Sequence, residues 1–194
     1  MIPTAPRAAP PKPASCMNAI RILALGNVLI GDDAVGPYLL AALHAHYQFP
    51  ADVDLVDAGT PGFDLLPMIE DVHTLVLLDS VTGPGPPGSI TVSNREEIIG
   101  GGLPQRRGPH DPSLRAVLLE AQMRGIGPQV VYLIGVVPEN THAGTQLTPV
   151  VRAAVPDAEA VVIGQLRKLG ANPQPKIPPE QVCVWWEESN PQNA

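Results

Sequence analysis

Three side chains that can hold a metal or carry a proton fall in segments that read as loops after strands. Asp33 lies in Gly26-Asn27-Val28-Leu29-Ile30-Gly31-Asp32-Asp33-Ala34-Val35-Gly36, Asp79 ends the apolar run Leu75-Val76-Leu77-Leu78, and His110 sits in Gly108-Pro109-His110-Asp111-Pro112. Loops at the carboxyl ends of parallel strands converge on one crevice. Two carboxylates and an imidazole meeting there suit a divalent metal with positions left open for a substrate. A carboxylate in such a place also serves as a general base. Each residue has a plainer reading as well. Helix capping takes one of Asp32 and Asp33, since one cap needs one side chain. Asp79 reads equally as a carboxylate satisfied by loop N–H groups, and His110 as a surface histidine preceding a helix.

The elements that must position these residues follow from hydrophobic patterning. Ile20 to Leu25 reads as a buried strand ending at the Gly26-Asn27 turn. A helix from about Ala34 to Tyr47 follows, with Pro37 in its first turn and Leu39, Leu40 and Leu43 on its inner face. Val53 to Asp57 alternates like a strand, and a second helix is expected near Gly62 to Asp71. Thr74 to Leu78 is apolar enough to be central in a sheet. A stiff Gly83–Gly88 loop leads to a strand at Ser89–Ser93, placed at an edge, and Gly100 to Pro109 reads as a loop delivering His110 to a helix over Pro112–Met123. Val130 to Val137 is the last strong strand. Thr148 to Leu169 is a long helix that Pro156 is expected to kink or break. Strands alternating with helices predict a three-layer α/β/α fold, a single domain with a mainly parallel twisted sheet.

Composition narrows the function. A chain of 194 residues with 44% hydrophobic residues supports one core, and only 4% aromatics means that Val, Leu, Ile and Ala must build it. A net charge of −7 argues against nonspecific nucleic-acid binding. No apolar run reaches the ~20 residues of a membrane helix, so no membrane partner is expected. Residues 1–19 carry proline at 3, 6, 10, 11 and 13 and have no continuous apolar block, which reads as a disordered lead-in rather than a secretory signal. The domain is expected over 20–170, and 171–194 is a Pro-rich tail ending near Trp185-Trp186, suited to docking on the domain or on a partner. Cys16 and Cys183 lie in opposite terminal segments with no metal spacing, pointing to a reducing, cytoplasmic setting, with a single bridge between them left open. Gly26, Gly31 and Gly36 do not fit a dinucleotide turn and no phosphate-loop Gly-Lys-Ser/Thr is present, so a nucleotide site is not favoured. No Gly-x-Ser-x-Gly elbow occurs either, which argues against covalent catalysis.

Five ordered motifs carry a family resemblance over about Ile20 to Gly170. They are Gly26-Asn27-x-Leu29-x-Gly31-Asp32-Asp33-x-Val35-Gly36, Asp57-Ala58-Gly59-Thr60-Pro61-Gly62, the strand end at Asp79, Pro109-His110-Asp111-x-Ser113-Leu114, and Gly135-Val136-Val137-Pro138-Glu139 with Gly144-x-Gln146-Leu147-Thr148-Pro149. In these the chain resembles the nickel–iron hydrogenase maturation endopeptidases, which remove a C-terminal extension from the hydrogenase large subunit. The resemblance implies that Asp33, Asp79 and His110 ligate a divalent metal, and that the Asp57-Ala58-Gly59-Thr60 segment takes part in substrate recognition, with Asp57, Gly59 and Thr60 its residues. It implies that the metal is nickel already loaded into the large-subunit precursor, so that cleavage depends on correct insertion, with Asp33 or Asp79 as the base. It favours a monomer that meets its substrate transiently. Ala24 stands where relatives often have glycine, Asp33 where some carry glutamate, and Asp111-Pro112 where some carry glutamine. Two other readings keep the same site, a non-catalytic module that checks nickel loading and a small-molecule metallohydrolase. A deep pocket suits the last and an open groove the protease, while peptide release separates protease from checkpoint.

Overall fold

Four apolar runs pair side by side in parallel to make the sheet that the sequence predicts. The computed structural model describes residues 20–100 and 114–188. Strands β1 (Ile20–Leu25), β3 (Val53–Gly59), β4 (Thr74–Ser80), β5 (Ile90–Asn94) and β6 (Val130–Val136) lie in the order β3-β1-β4-β6-β5. All pair in parallel except β5, an edge strand running antiparallel to β6. Every residue of β4 is buried, as a central strand covered on both faces requires.

Helices α1 (Val35–His46) and α5 (Pro149–Lys168) cover one face, and their apolar residues pack on Ile22, Ala24, Val76, Leu78 and Ile134. Residues from α2 (Leu65–Ile69), α3 (Arg95–Gly100) and α4 (Leu114–Arg124) cover the other, against Leu23, Leu25, Leu75, Leu77 and Leu133. The result is the three-layer α/β/α architecture. Alternation along each strand divides the core into these two clusters.

Several expectations need correction. Pro156 does not break its helix: α5 continues without interruption through it. A proline inside a helix forfeits one N–H bond, and burial of Val151, Val155, Val162 and Leu166 on the sheet side offsets that loss. The helix expected over Gly62–Asp71 is a 3-10 turn at Gly62–Asp64 followed by the short α2, and the segment Arg95–Gly100 forms α3, which patterning did not identify.

The tail packs on its own domain. A short strand β7 (Gln174–Pro175) pairs antiparallel with β2 (Tyr47–Gln48), and the Lys176 and Glu180 N–H groups donate to the His46 and Ala45 carbonyls at the end of α1. The chain then runs back along α1 to α6 (Trp185–Glu188), where Glu187 pairs with Arg152 of α5, itself bonded to the Tyr38 hydroxyl at 2.8 Å. Val184 and Trp186 are buried there.

Candidate functional site

The carboxyl end of β1 turns through Gly26, which adopts φ +140°, a region that favours glycine. A side chain at this position would also collide with the Asp33 carbonyl, 1.9 Å from the place a Cβ would take. The following loop closes on the 3-10 turn Gly31–Ala34 and enters α1. Gly36, in the first turn of α1, lets the helix rest on the strand ends: a Cβ there would meet the Leu25 carbonyl at 2.2 Å and the Leu78 carbonyl at 2.6 Å. Sheet and helix therefore hold the Asp33 loop from below.

Asp33 is fixed by two hydrogen bonds. The Asn27 N–H donates to Oδ2 at 2.7 Å and the Ser80 hydroxyl donates to Oδ1 at 2.6 Å. A carboxylate has about four lone-pair sites, so each oxygen keeps acceptor capacity for a cation or a proton. Ser80 follows Asp79 in β4, the strand next to β1. Asp79 is 2% exposed and pairs in register with Gly135. Alternation at the strand end sends the Ser80 side chain toward the α1 layer and that of Asp79 toward the layer containing α4. The structure thus holds Asp33 against Ser80 at the end of β4, while Asp79 on the same strand end faces the opposite layer. His110 lies outside the described residues, in the segment leading to α4. Among the described residues no group of three His, Cys, Asp or Glu side chains forms a metal-binding cluster; the two acids supply hard oxygen donors of the kind a borderline metal accepts beside imidazole.

Asp32 does something that its neighbour does not. It is fully buried, and its carboxylate accepts the N–H groups of Glu139 and Asn140 at 2.9 Å, the Thr148 N–H at 2.7 Å and the Thr148 hydroxyl at 3.0 Å. Neither acid caps α1: no side-chain cap bond exists at that helix or at the 3-10 turn before it. Asp32 instead ties the β1 loop to the β6–α5 connection and to the start of α5, where a negative charge is favoured by the helix dipole. The signal that could have separated the two acids is the Glu139…Thr148-Pro149 segment, whose loop N–H groups need an acceptor.

The Asp57–Thr60 segment is the end of β3 and the residue after it, on the other side of β1. The Gly59 N–H donates to Asp57 Oδ1 at 3.0 Å and the Gly59 carbonyl accepts the Gly26 N–H at 2.9 Å, which couples this turn to the Asp33 loop. Asp57 and Thr60 are exposed. Asp57 lines a groove of about 430 Å³ between α1 and the tail, distinct from the Asp33–Ser80 contact. Ser80 is the positioning residue that sequence reasoning missed; a hydroxyl beside a strand-end aspartate was its only trace.

No helix among the described residues is long and apolar enough to cross a membrane. The sequence profile described as hydrogenase maturation protease matches residues 37–165. The hydrogenase 2 maturation protease of Escherichia coli K12 is 30% identical over 158 residues, covering 81% of this chain and 96% of that protein. The hydrogenase expression/formation protein HoxM of Cupriavidus necator is 34% identical over 167 residues, 84% of this chain and 83% of its own. The structure of the E. coli hydrogenase maturating endopeptidase HybD superimposes with a TM-score of 0.76 at 30% identity, covering 82% of this chain and 99% of that one.

Proposed function

Since the chain belongs to the hydrogenase maturation protease family, we propose that it is the endopeptidase that removes the C-terminal extension of a nickel–iron hydrogenase large-subunit precursor after nickel insertion. The observation that carries the catalytic assignment is the placement of Asp33, anchored by Asn27 and Ser80, beside the strand end that bears Asp79. His110 completes the proposed ligand set, and Asp57, Gly59 and Thr60 contact the precursor.

Nickel in this scheme arrives with the substrate, and when bound it polarises the scissile carbonyl or the attacking water. The chain's own task is to hold oxygen donors still and to take a proton. Asp33 or Asp79 accepts the proton of the attacking water as its oxygen adds to the carbonyl carbon, and that proton is returned to the departing amine. No serine or cysteine acylation is needed. This is a metal-assisted, aspartic-type hydrolysis, carried out by a cytoplasmic monomer on a transiently bound protein.

Incubation of the precursor, with and without nickel, followed by intact-mass measurement, tests the reading. Loss of a C-terminal peptide from the nickel-loaded form alone is the expected result. An unchanged mass with binding retained would make the protein a checkpoint module instead, and intact processing by Asp33→Ala would remove the catalytic assignment.

A further inference from the structure

Strand β3 closes one side of the sheet, and its outer edge is open. Ile20 lies opposite Val53, and the Ile20 N–H donates to the Asp52 carbonyl at 2.9 Å. In a parallel ladder this register turns the backbone groups of Asp54 and Val56 toward β1 and those of Val53, Leu55 and Asp57 outward. The Val53 N–H is taken up by the Pro50 carbonyl at 3.0 Å. The N–H and C=O groups of Leu55 and Asp57 have no hydrogen-bond partner among the described residues. The tail does not supply one. From Gln174 onward its backbone bonds to the domain go to β2 and to the His46 and Ala45 carbonyls of α1. Unpaired N–H and C=O groups along an edge are a template for a further strand.

Leu55 and Asp57 also line the groove of about 430 Å³. Leu40 and Ala41 of α1 stand with Leu55 on one side of it, and Val184 and Trp186 of the tail on the other. Charge has little to offer there. Glu180 is paired with Lys176 at 2.8 Å, and Asp57 Oδ1 already accepts the Gly59 N–H. Recognition therefore falls to main-chain hydrogen bonds and apolar contact, the combination by which an extended peptide adds to a sheet edge. The same edge leads into the candidate site. The Gly59 carbonyl accepts the Gly26 N–H, and the next residue, Asn27, donates its N–H to Asp33. From Asp57 to Gly59 is a rise of about 7 Å.

We propose that the C-terminal extension of the precursor docks along β3 as an added antiparallel strand. The identity of this partner rests on the protease reading. Chain direction selects the antiparallel sense. β3 runs from Val53 toward the site at Gly59, so a chain leaving the site along this edge in its own N-to-C direction runs against β3. What leaves the site in that direction is the segment downstream of the bond to be broken, which is the extension. In an antiparallel pair, a residue whose N–H and C=O both face its neighbour exchanges two bonds with it. Leu55 and Asp57 each offer such a donor and acceptor. Side chains directly opposite across the pair lie on the same face. The two extension residues facing Leu55 and Asp57 therefore turn their side chains into the groove, where Leu40, Ala41 and Val184 suit aliphatic groups. Main-chain pairing tolerates many sequences, and the groove selects apolar residues at alternate positions.

Amide exchange read by NMR on the full-length protein tests this, with a synthetic peptide spanning the cut and the extension as the probe. The Leu55 and Asp57 amides should exchange at least about tenfold more slowly once the peptide is bound. Peptides N-methylated at one residue at a time sharpen the test, because only alternate N–H groups of an added strand face its neighbour. Binding should weaken at least about tenfold at two positions separated by one residue, and little at the residue between them. The protein itself is unaltered throughout, so a folding defect cannot imitate either result. Unchanged exchange at both amides in the presence of the peptide would overturn the proposal, as would equal sensitivity to N-methylation at consecutive residues. Cleavage of the nickel-loaded precursor is read separately. Slowed amides in a protein that cleaves nothing keep the docked strand and remove the protease assignment. Cleavage with Leu55 and Asp57 exchanging as in the free protein removes the strand and leaves the protease.

Discussion

Ser80 donates its hydroxyl hydrogen to Asp33 Oδ1 across 2.6 Å, linking the loop after β1 to the end of β4. The bond fixes the carboxylate plane relative to the strand that carries Asp79. A hydrogen bond to a charged group is worth about 1.5–3 kcal/mol, and a misplaced catalytic group costs rate far out of proportion to the lost contact. Ser80→Ala should therefore fold, lose about 1.5–3 kcal/mol of stability, and process precursor at least about tenfold more slowly with KM little changed. Steady-state kinetics check this together with a denaturant titration. A larger effect on KM than on kcat would assign Ser80 to substrate binding instead.

Asp32 and Asp33 are adjacent in sequence but bonded to different parts of the fold, and on the proposed function their variants should separate. Asp33→Ala is expected to abolish processing while leaving the melting temperature within a few degrees of the parent. Asp32→Ala strands the Glu139, Asn140 and Thr148 N–H groups that now converge on one buried carboxylate. Its expected cost is about 3 kcal/mol, read as a lowered urea midpoint, with activity falling because the protein unfolds. If Asp32→Ala kept parental stability and lost activity, the buried acid would belong to the reaction and not to the scaffold.

The contrast also shows what patterning can and cannot resolve. Strands β1, β3, β4 and β6 were legible because buried apolar runs bounded by glycine have few alternatives, and their parallel pairing followed from their alternation with helices. Asp79 was legible as a strand-end acid and Asp33 as an acid of the loop after β1. That Asp32 is buried against the β6–α5 connection was not, because the answer depends on N–H groups more than a hundred residues away. Ser80 escaped for the same reason: its significance arises only when β4 is laid beside β1. The helix is not broken at Pro156, although local propensity opposes a helix there, because the apolar stripe of α5 packs against the sheet. The tail's aromatic pair was visible, but its wall position came from β7 pairing with β2, two-residue strands that no periodicity reveals.

Gly36 sets how closely α1 approaches the sheet. An added methyl would fall 2.2 Å from the Leu25 carbonyl and 2.6 Å from that of Leu78, both backbone atoms that cannot rotate aside. Gly36→Ala must therefore lift the helix start and with it the Asp33 loop. The intrinsic helix preference of alanine over glycine, about 1 kcal/mol, acts in the other direction. Overpacking of about 1–3 kcal/mol should win, giving net destabilisation with loss of processing. A variant more stable than the parent would mean that the contact relaxes freely and that the helix is not held by the strand ends.

Glu159 of α5 carries a prediction about pH. The residue is 6% exposed, and its carboxylate meets His46 Nδ1 at 2.8 Å. Burial raises its pKa above the ordinary 4.5, and the hydrogen bond and charge of His46, which act to lower it, do not cancel the burial. A carboxyl raised in the folded state favours its protonated form there. The stability this contributes is complete below the unfolded pKa and is lost as pH rises through the folded one. Glu159→Gln, a neutral substitute that still accepts a hydrogen bond, should match the parent at about pH 4 and be the more stable of the two at about pH 8. Paired denaturant titrations at the two pH values report on the Glu159–His46 pair, the other titrating groups being common to both proteins. Greater stability of the parent at the higher pH would show that the contact with His46 outweighs the cost of burying the charge.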